Sequence, residues 1–197
     1  MSYFEESRDL TYGRRGPRLE GRFAPEGLSV TIAEPSSTPV FVTLDVKDFL
    51  RVTSDAEDFV IELISEGIRE AVEGYTGRLL TQRQVTAVWD RFWLRGKLPY
   101  PPVQSIASIE RWDVTDEQYE TIAADDYQLR ENRLLIEDDN GGDALKVVYT
   151  AGYSSIPAAL KLQALQDIRR RYEYRDGRAD GGTELPDPTL YDRWRVI

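Results

Sequence analysis

The chain has 197 residues, 41% of them hydrophobic and 30% charged, with a formal net charge of −10 and neither cysteine nor histidine. That composition fits one globular domain with a real core, or one domain with long arms, and excludes a disulfide, a thiolate nucleophile, a Cys/His zinc site and an imidazole base. The acidic balance argues against a surface that grips DNA all over, which would need net cationic contact with phosphates.

No apolar run approaches the roughly 20 residues needed to span a membrane. The first residues, MSYFEESRDL, are acidic with no apolar core, so no secretory signal is expected there and synthesis in the cytoplasm is. Met1–Pro39 reads as an extended arm, with glycines at 13, 16, 21 and 27 and prolines at 17, 25, 35 and 39. Five arginines (8, 14, 15, 18 and 22) against Asp9 and Glu20 make part of it locally cationic. Arg14, Arg15, Arg18 and Arg22 are candidate contacts to a partner subunit or to nucleic acid. Leu28–Ile32 has the composition of a short edge strand.

The folded part is expected over residues 40–176. Leu44, Val46, Phe49 and Leu50 predict a short helix over 44–51, with Thr43 or Asp45 as its cap. A long helix over 56–75 follows, with Val60, Ile64, Ile68, Ala71 and Tyr75 as its apolar stripe and Phe59, Leu63 and Val72 beside it. Its acidic side chains, Glu73 among them, read as a solvated face. Gly74 and Gly77 bracket its exit, where a glycine can adopt the left-handed conformation that closes a helix.

From Leu79 the period shortens to two, predicting a β insertion over 79–150. Thr81–Trp93 sets Val85, Ala87, Trp89 and Trp93 on one side. The tryptophans at 89, 93 and 112 read as core rather than as platforms for bases. Gly96–Val103, GKLPYPPV, is a rigid connector whose prolines bar it from a central strand. Strands are expected at Ile106–Trp112, Tyr127–Leu129, Leu134–Ile136 and Ala144–Tyr149, with a polar excursion through Thr115–Asp126. Pro157–Arg175 is then a closing helix, capped by Ser154 or Ser155, with Leu162, Leu165, Ile168 and Tyr172 facing the core. Arg169, Arg170 and Arg171 fall where the helix dipole favours cations.

Residues 177–197 read as a linker and a C-terminal docking tail. Leu190, Tyr191, Arg193, Trp194, Arg195, Val196 and Ile197 combine the aromatic and arginine side chains typical of interface anchors. Docking on a partner and packing on the chain's own domain both fit that composition.

The chain shows little chemistry. EDDNGGD (137–143) fails the ligand spacing of a calcium loop, and Asn140–Gly141 is a hairpin-turn pair. Asp125 and Asp126 can hold a metal with Glu137 or Asp143 only if strand geometry brings them together. No P-loop or dinucleotide fingerprint is present. No catalytic residue, metal ligand or cofactor is expected.

Three segments in order, EAVEGYTGRLL (70–80), LPYPPVQSI (98–106) and VVYTAGY…IPAALKLQALQDIRRRYEYRD (147–176), resemble the head-to-tail connector, or adaptor, proteins of tailed bacteriophages and of phage-derived particles such as gene transfer agents. The resemblance covers about Leu44 to Asp176. It implies an α+β fold with an α-helical core and an inserted antiparallel β domain. It further implies a non-enzymatic virion protein of the neck, forming a dodecameric ring under the portal with a stopper or tail-completion protein below. Double-stranded DNA would pass through the ring's channel without specific binding, and the C-terminal segment would reach the portal. The alternatives are a carboxylate-metal nuclease and a DNA-binding module using Arg8–Arg22 and Arg169–Arg171.

Overall fold

Strict alternation builds the centre of the molecule. In a computed structural model, which describes residues 27–33, 39–91, 95–137, 144–174 and 188–196, strand β8 (Leu145–Ala151) buries Leu145, Val147, Tyr149 and Ala151 on one side. β8 is flanked by β2 (Arg83–Trp89) and β4 (Val103–Asp113), both antiparallel to it. β1 (Leu28–Ile32) and β5 (Gln118–Thr121) form the edges of this five-stranded sheet, in the order β1-β2-β8-β4-β5. A second antiparallel sheet, β3-β7-β6, comprises β3 (Arg95–Lys97), β6 (Tyr127–Arg130) and β7 (Arg133–Ile136). Leu134 and Ile136 of β7 share one core with Val85, Ala87, Trp89 and Val147, so the two sheets enclose it between them.

Three helices form the other part: α1 (Thr43–Leu50), α2 (Asp58–Thr76) and α3 (Ala158–Glu173). Ile61, Ile68 and Val72 of α2 bury against Leu160, Ala164 and Ile168 of α3 in a second core, which Val46 and Phe41 complete. A 3-10 helix, Pro188–Trp194, closes that core with Tyr191. The fold is α+β, with mixed helices and antiparallel sheets. Leu79 enters the sheet core and its neighbour Leu80 the helical core, so the exit of α2 joins the two parts.

Several local expectations change. The buried face of α2 runs through Ile61, Ser65, Ile68, Val72 and Thr76, while Phe59, Leu63 and Ala71 are exposed. On α3 the buried positions are Leu160, Ala164, Asp167 and Ile168, and Leu162 is half exposed. Neither α1 nor α3 has a side-chain cap: the N-caps are Val42 and Pro157. Thr43 instead donates its hydroxyl to Glu62 (3.1 Å). The Pro157 carbonyl accepts from Leu160 and Lys161 (2.9 Å each), taking up two first-turn donors without a serine. β5 lies inside the segment read as a polar excursion; its four residues are all exposed, so it carries no apolar alternation. β4 breaks alternation through register shifts at Gln104 and Ala107, which is how Ile106 and Ile109, three apart, both reach the sheet core. Trp89 is buried, and Trp112 stacks edge-on against Tyr119 (5.1 Å, 72°).

Candidate functional site

The three segments that carry the resemblance converge on one place. Arg78, from EGYTGR, donates through Nη1 to the Pro101 carbonyl (3.3 Å). The Tyr149 hydroxyl donates to the Pro99 carbonyl (2.8 Å), and the Gly152 N–H to the Pro102 carbonyl (2.9 Å). Gln104 Nε2 returns a bond to the Gly152 carbonyl (2.7 Å), and the Tyr153 N–H reaches the Leu79 carbonyl (3.2 Å). Gly152 has φ of 112°, and a Cβ there would lie 2.0 Å from the Thr81 carbonyl oxygen. Only glycine permits that approach. Burial pushes the Tyr149 hydroxyl far above its ordinary pKa, so it serves as a neutral donor.

At the same joint Glu73 is buried, not solvated. Its Oε2 accepts from Arg69 Nη1 (2.5 Å) and from Arg83 Nη2, and its Oε1 accepts from the Leu80 N–H (2.8 Å). Arg69 also grips Glu66 through Nε (2.9 Å) and Nη2 (2.5 Å). Hydrogen bonding to Arg69 holds the Glu66 carboxyl below its ordinary pKa. Burial raises the Tyr100 hydroxyl, with the Glu73 charge adding to the shift. The cluster ties α2 to β2 through paired charges, with the Arg83 Nε left buried without a hydrogen-bond partner. It holds no free base or nucleophile poised over a cleft.

The C-terminal segment is seated on this joint. Tyr191 is 2% exposed and donates its hydroxyl to Asp167 Oδ2 of α3 (2.5 Å). Tyr75 donates to Asp192 Oδ1 (2.5 Å), Arg78 Nε to the Trp194 carbonyl (2.6 Å), and the Val196 N–H to the Thr76 carbonyl (2.9 Å). Gly77, the left-handed cap of α2, lies beside Val196, whose Cβ is 3.6 Å from where a Cβ on residue 77 would stand. Thus Tyr75, Thr76, Gly77 and Arg78 each contact the tail. Of the tail residues singled out from sequence, Tyr191 is core, Trp194 and Val196 are half-buried, and Leu190, Arg193 and Arg195 remain exposed. The Arg193 guanidinium lies 4.2 Å from the Trp194 ring centre, and that of Arg195 lies 5.2 Å from the Tyr75 ring centre. Ile197 lies outside the described residues, as do Arg14, Arg15, Arg18, Arg22, Trp93, Asp143 and the Asn140–Gly141 turn. What sequence reasoning missed here is the seat itself: nothing in EGYTGR pairs visibly with LYDRWRV.

Among the described residues, Asp125, Asp126 and Glu137 do not assemble into a three-carboxylate cluster. Asp126 and Glu137 line one open cleft of about 420 Å³ together with Arg111 and Glu120. Among the described residues, however, the only three carboxylates whose oxygens converge are Asp113, Asp116 and Glu120, at the β4–β5 turn. There Asp113 Oδ1 accepts from the Thr115 N–H (2.6 Å), and that backbone bond holds its carboxyl below the ordinary range. This is a turn closing on itself. Arg169 pairs with Glu173 (2.7 Å), and Arg170 and Arg171 lie exposed in the last turns of α3.

No protein-family model matches the chain, and no curated protein matches it. Solved structures do. A chain from the neck of an empty gene transfer agent particle, computed with C6 symmetry, superposes with a TM-score of 0.67 at 21% identity, covering 86% of this chain and 96% of that one. A chain from the virion of a native gene transfer agent particle gives 0.62 at 22% identity, covering 85% and 95%. A chain from the neck of a native particle, computed with C12 symmetry, gives 0.58 at 20% identity, covering 85% and 96%. Over most of its length, this chain has the fold of proteins built into gene transfer agent particles and their necks.

Proposed function

We propose that the chain is a structural head-to-tail adaptor. In this reading copies form a ring beneath the portal of a phage-like particle, join the DNA-filled head to the tail, and leave a channel for DNA. The observation that carries it is the fold shared over 85–86% of this chain with chains of particle necks computed with C6 and C12 symmetry. Twelve copies, a portal above, a stopper or tail-completion protein below and a place in the virion follow as parts of the same reading, with no catalytic step. An acidic chain suits a wall along which DNA must slide, because it repels phosphates.

The tail fits the role of a mount. Tyr191, Trp194 and Val196 anchor it to the chain's own domain, and Leu190, Arg193 and Arg195 stay exposed to meet the portal. The test mixes the purified full chain with its portal and images the product. A ring of matching symmetry added to the portal is expected, and a bare portal sinks the reading. Replacing Arg193 and Arg195 with alanine removes two exposed cation–π contacts and is expected to lower the melting temperature by only about 2–8 °C, leaving the fold intact, while weakening attachment to the portal at least tenfold. Unchanged attachment removes the tail from the portal contact.

A further inference from the structure

Resting on the adaptor reading, which brings DNA past this chain, we infer that the outer face of the β3-β7-β6 sheet contacts the phosphate backbone of the duplex, weakly and without reading sequence. The register of the sheet sorts its side chains onto two faces. Gly96, Leu134 and Leu129 lie in one row across the strands, with Leu134 fully buried and Leu129 packed on the same core. Side chains alternate along a strand. The rows on either side, Lys97–Arg133–Arg130 and Arg95–Leu135–Gln128, therefore point outward. Arg95, Lys97, Arg130 and Arg133 are all exposed.

Such a row is costly to the fold by itself. Like charges directly opposite on neighbouring strands destabilise a sheet, and Arg133 stands between Arg130 and Lys97. The three strands hold four cationic residues and no carboxylate, in a chain with 35 acidic residues. Among the described residues Arg95 and Arg133 form no ion pair. Arg130 donates through Nη2 to Gln128 Oε1 (3.0 Å), a neutral partner that steadies the guanidinium and leaves its charge unopposed. Glu131, in the β6–β7 turn, stands at one margin of the face, and Glu137, at the other, accepts from Gln128 Nε2 (2.5 Å).

The make-up of the face favours phosphate over an acidic protein. A protein interface centres on apolar or aromatic anchors, with its charges toward the rim. Here Leu135, half-buried, is the one apolar side chain that the strands turn outward. Two strand spacings make the cationic row about 10 Å wide, and a duplex presents one negative charge per roughly 1.7 Å of its axis. The row therefore meets phosphates in any register. Arginine and lysine contacts to phosphate fix position and carry no sequence information. Because the chain as a whole is acidic and repels DNA, a contact confined to this sheet orients the duplex without holding it.

The test titrates a fluorescent, random-sequence duplex with the full chain, alone and on portals carrying the ring, and reads anisotropy. Four phosphate contacts predict an affinity that falls on the order of a hundredfold between about 50 and 200 mM salt. Arg95→Gln/Arg133→Gln leaves two contacts, so it should bind more weakly at about 50 mM salt and lose only about tenfold over the same range. The change relieves the charged row, so the melting temperature is not expected to fall and lost binding is not lost fold. Arg14→Gln/Arg15→Gln and Arg170→Gln/Arg171→Gln should bind as the unmodified chain does. Affinity lost in either of these and kept in Arg95→Gln/Arg133→Gln overturns the inference. So does Arg95→Gln/Arg133→Gln failing to join the portal when the unmodified chain joins it and binds no DNA, which would mark the face as a protein contact. A ring on the portal without DNA affinity overturns the inference and leaves the adaptor reading intact. Salt-sensitive affinity through Arg95 and Arg133 without a ring upholds the contact and removes the adaptor reading, and neither affinity nor ring defeats both.

Discussion

Glu73 binds two guanidiniums and a backbone N–H with one buried carboxylate. Removing it takes the carboxylate from the buried Arg83 guanidinium and leaves Arg69 with Glu66 and Glu70 alone, and breaking a buried pair costs more than the pair contributes. Glu73→Ala is therefore expected to lower stability by about 3–5 kcal/mol, read as a lower urea midpoint, whereas exposed Glu70→Ala should change it by less than about 0.5 kcal/mol. Sequence cannot separate the two, since both are glutamates on a helix rich in them. Only the fold brings Arg83, from β2, alongside one and not the other. Asp167 poses the opposite electrostatic case. Burial raises its carboxyl above the ordinary range, and bonds to Tyr191 and Gln163 and the charges of Arg170 and Arg171 offset only part of that. A carboxyl raised in the folded state binds its proton more tightly folded than unfolded. Its contribution is thus fully present below the ordinary carboxylate pKa of about 4 and is lost as pH rises through the raised folded value. Asp167→Asn keeps an acceptor for Tyr191 and has no charge to bury. Its urea midpoint should gain on the unmodified chain as pH rises from about 4 to 7. A gap that stays constant with pH would show that Asp167 titrates as it does unfolded.

At the scale of elements, what could be read from sequence depended on whether an element makes its own pattern. β8 does: it is paired on both edges, residue for residue with β2, and the register shifts of its other ladder fall on β4, so its own alternation is strict. β1 was legible from its β-branched composition although glycine- and proline-rich chain precedes it. α2 was legible as a helix but not in its rotation. Phe59, Leu63 and Ala71 are apolar in sequence, and hydrophobicity alone cannot say which of two apolar stripes meets α3 and which stays open. The same ambiguity misplaced Leu162. The helix N-termini misled for another reason: Ser154 and Ser155 are good caps by chemistry, but α3 begins beyond both of them, at Ala158. The tail's composition fitted docking on a partner as well as packing on its own domain, and its seat on that domain was invisible. In a 3-10 helix, residues three apart share a side, so Tyr191 and Trp194 face the domain together while Arg193 turns outward.

For the molecule as a whole, the consequence of one joint between two cores is that they should fail together. Leu79 and Leu80 enter different cores one residue apart, and the Pro99–Pro102 carbonyls accept from side chains or backbone of Arg78, Tyr149 and Gly152. Gly152 is the point where the approach is tightest, with the Thr81 carbonyl where a side chain would begin. Gly152→Ala must push apart β8 and the α2–β2 connection, at a cost of about 3 kcal/mol or more from the positive φ and the clash combined. If the cores are coupled, hydrogen exchange of the slowest amides in β8 and in the middle of α2 should accelerate by the same factor, on the order of a hundredfold for such a loss. Acceleration confined to β8 would mean that the helical core holds without the joint. The two parts would then be separately stable units bridged by a connector, and the mount for the tail would survive damage to the sheets.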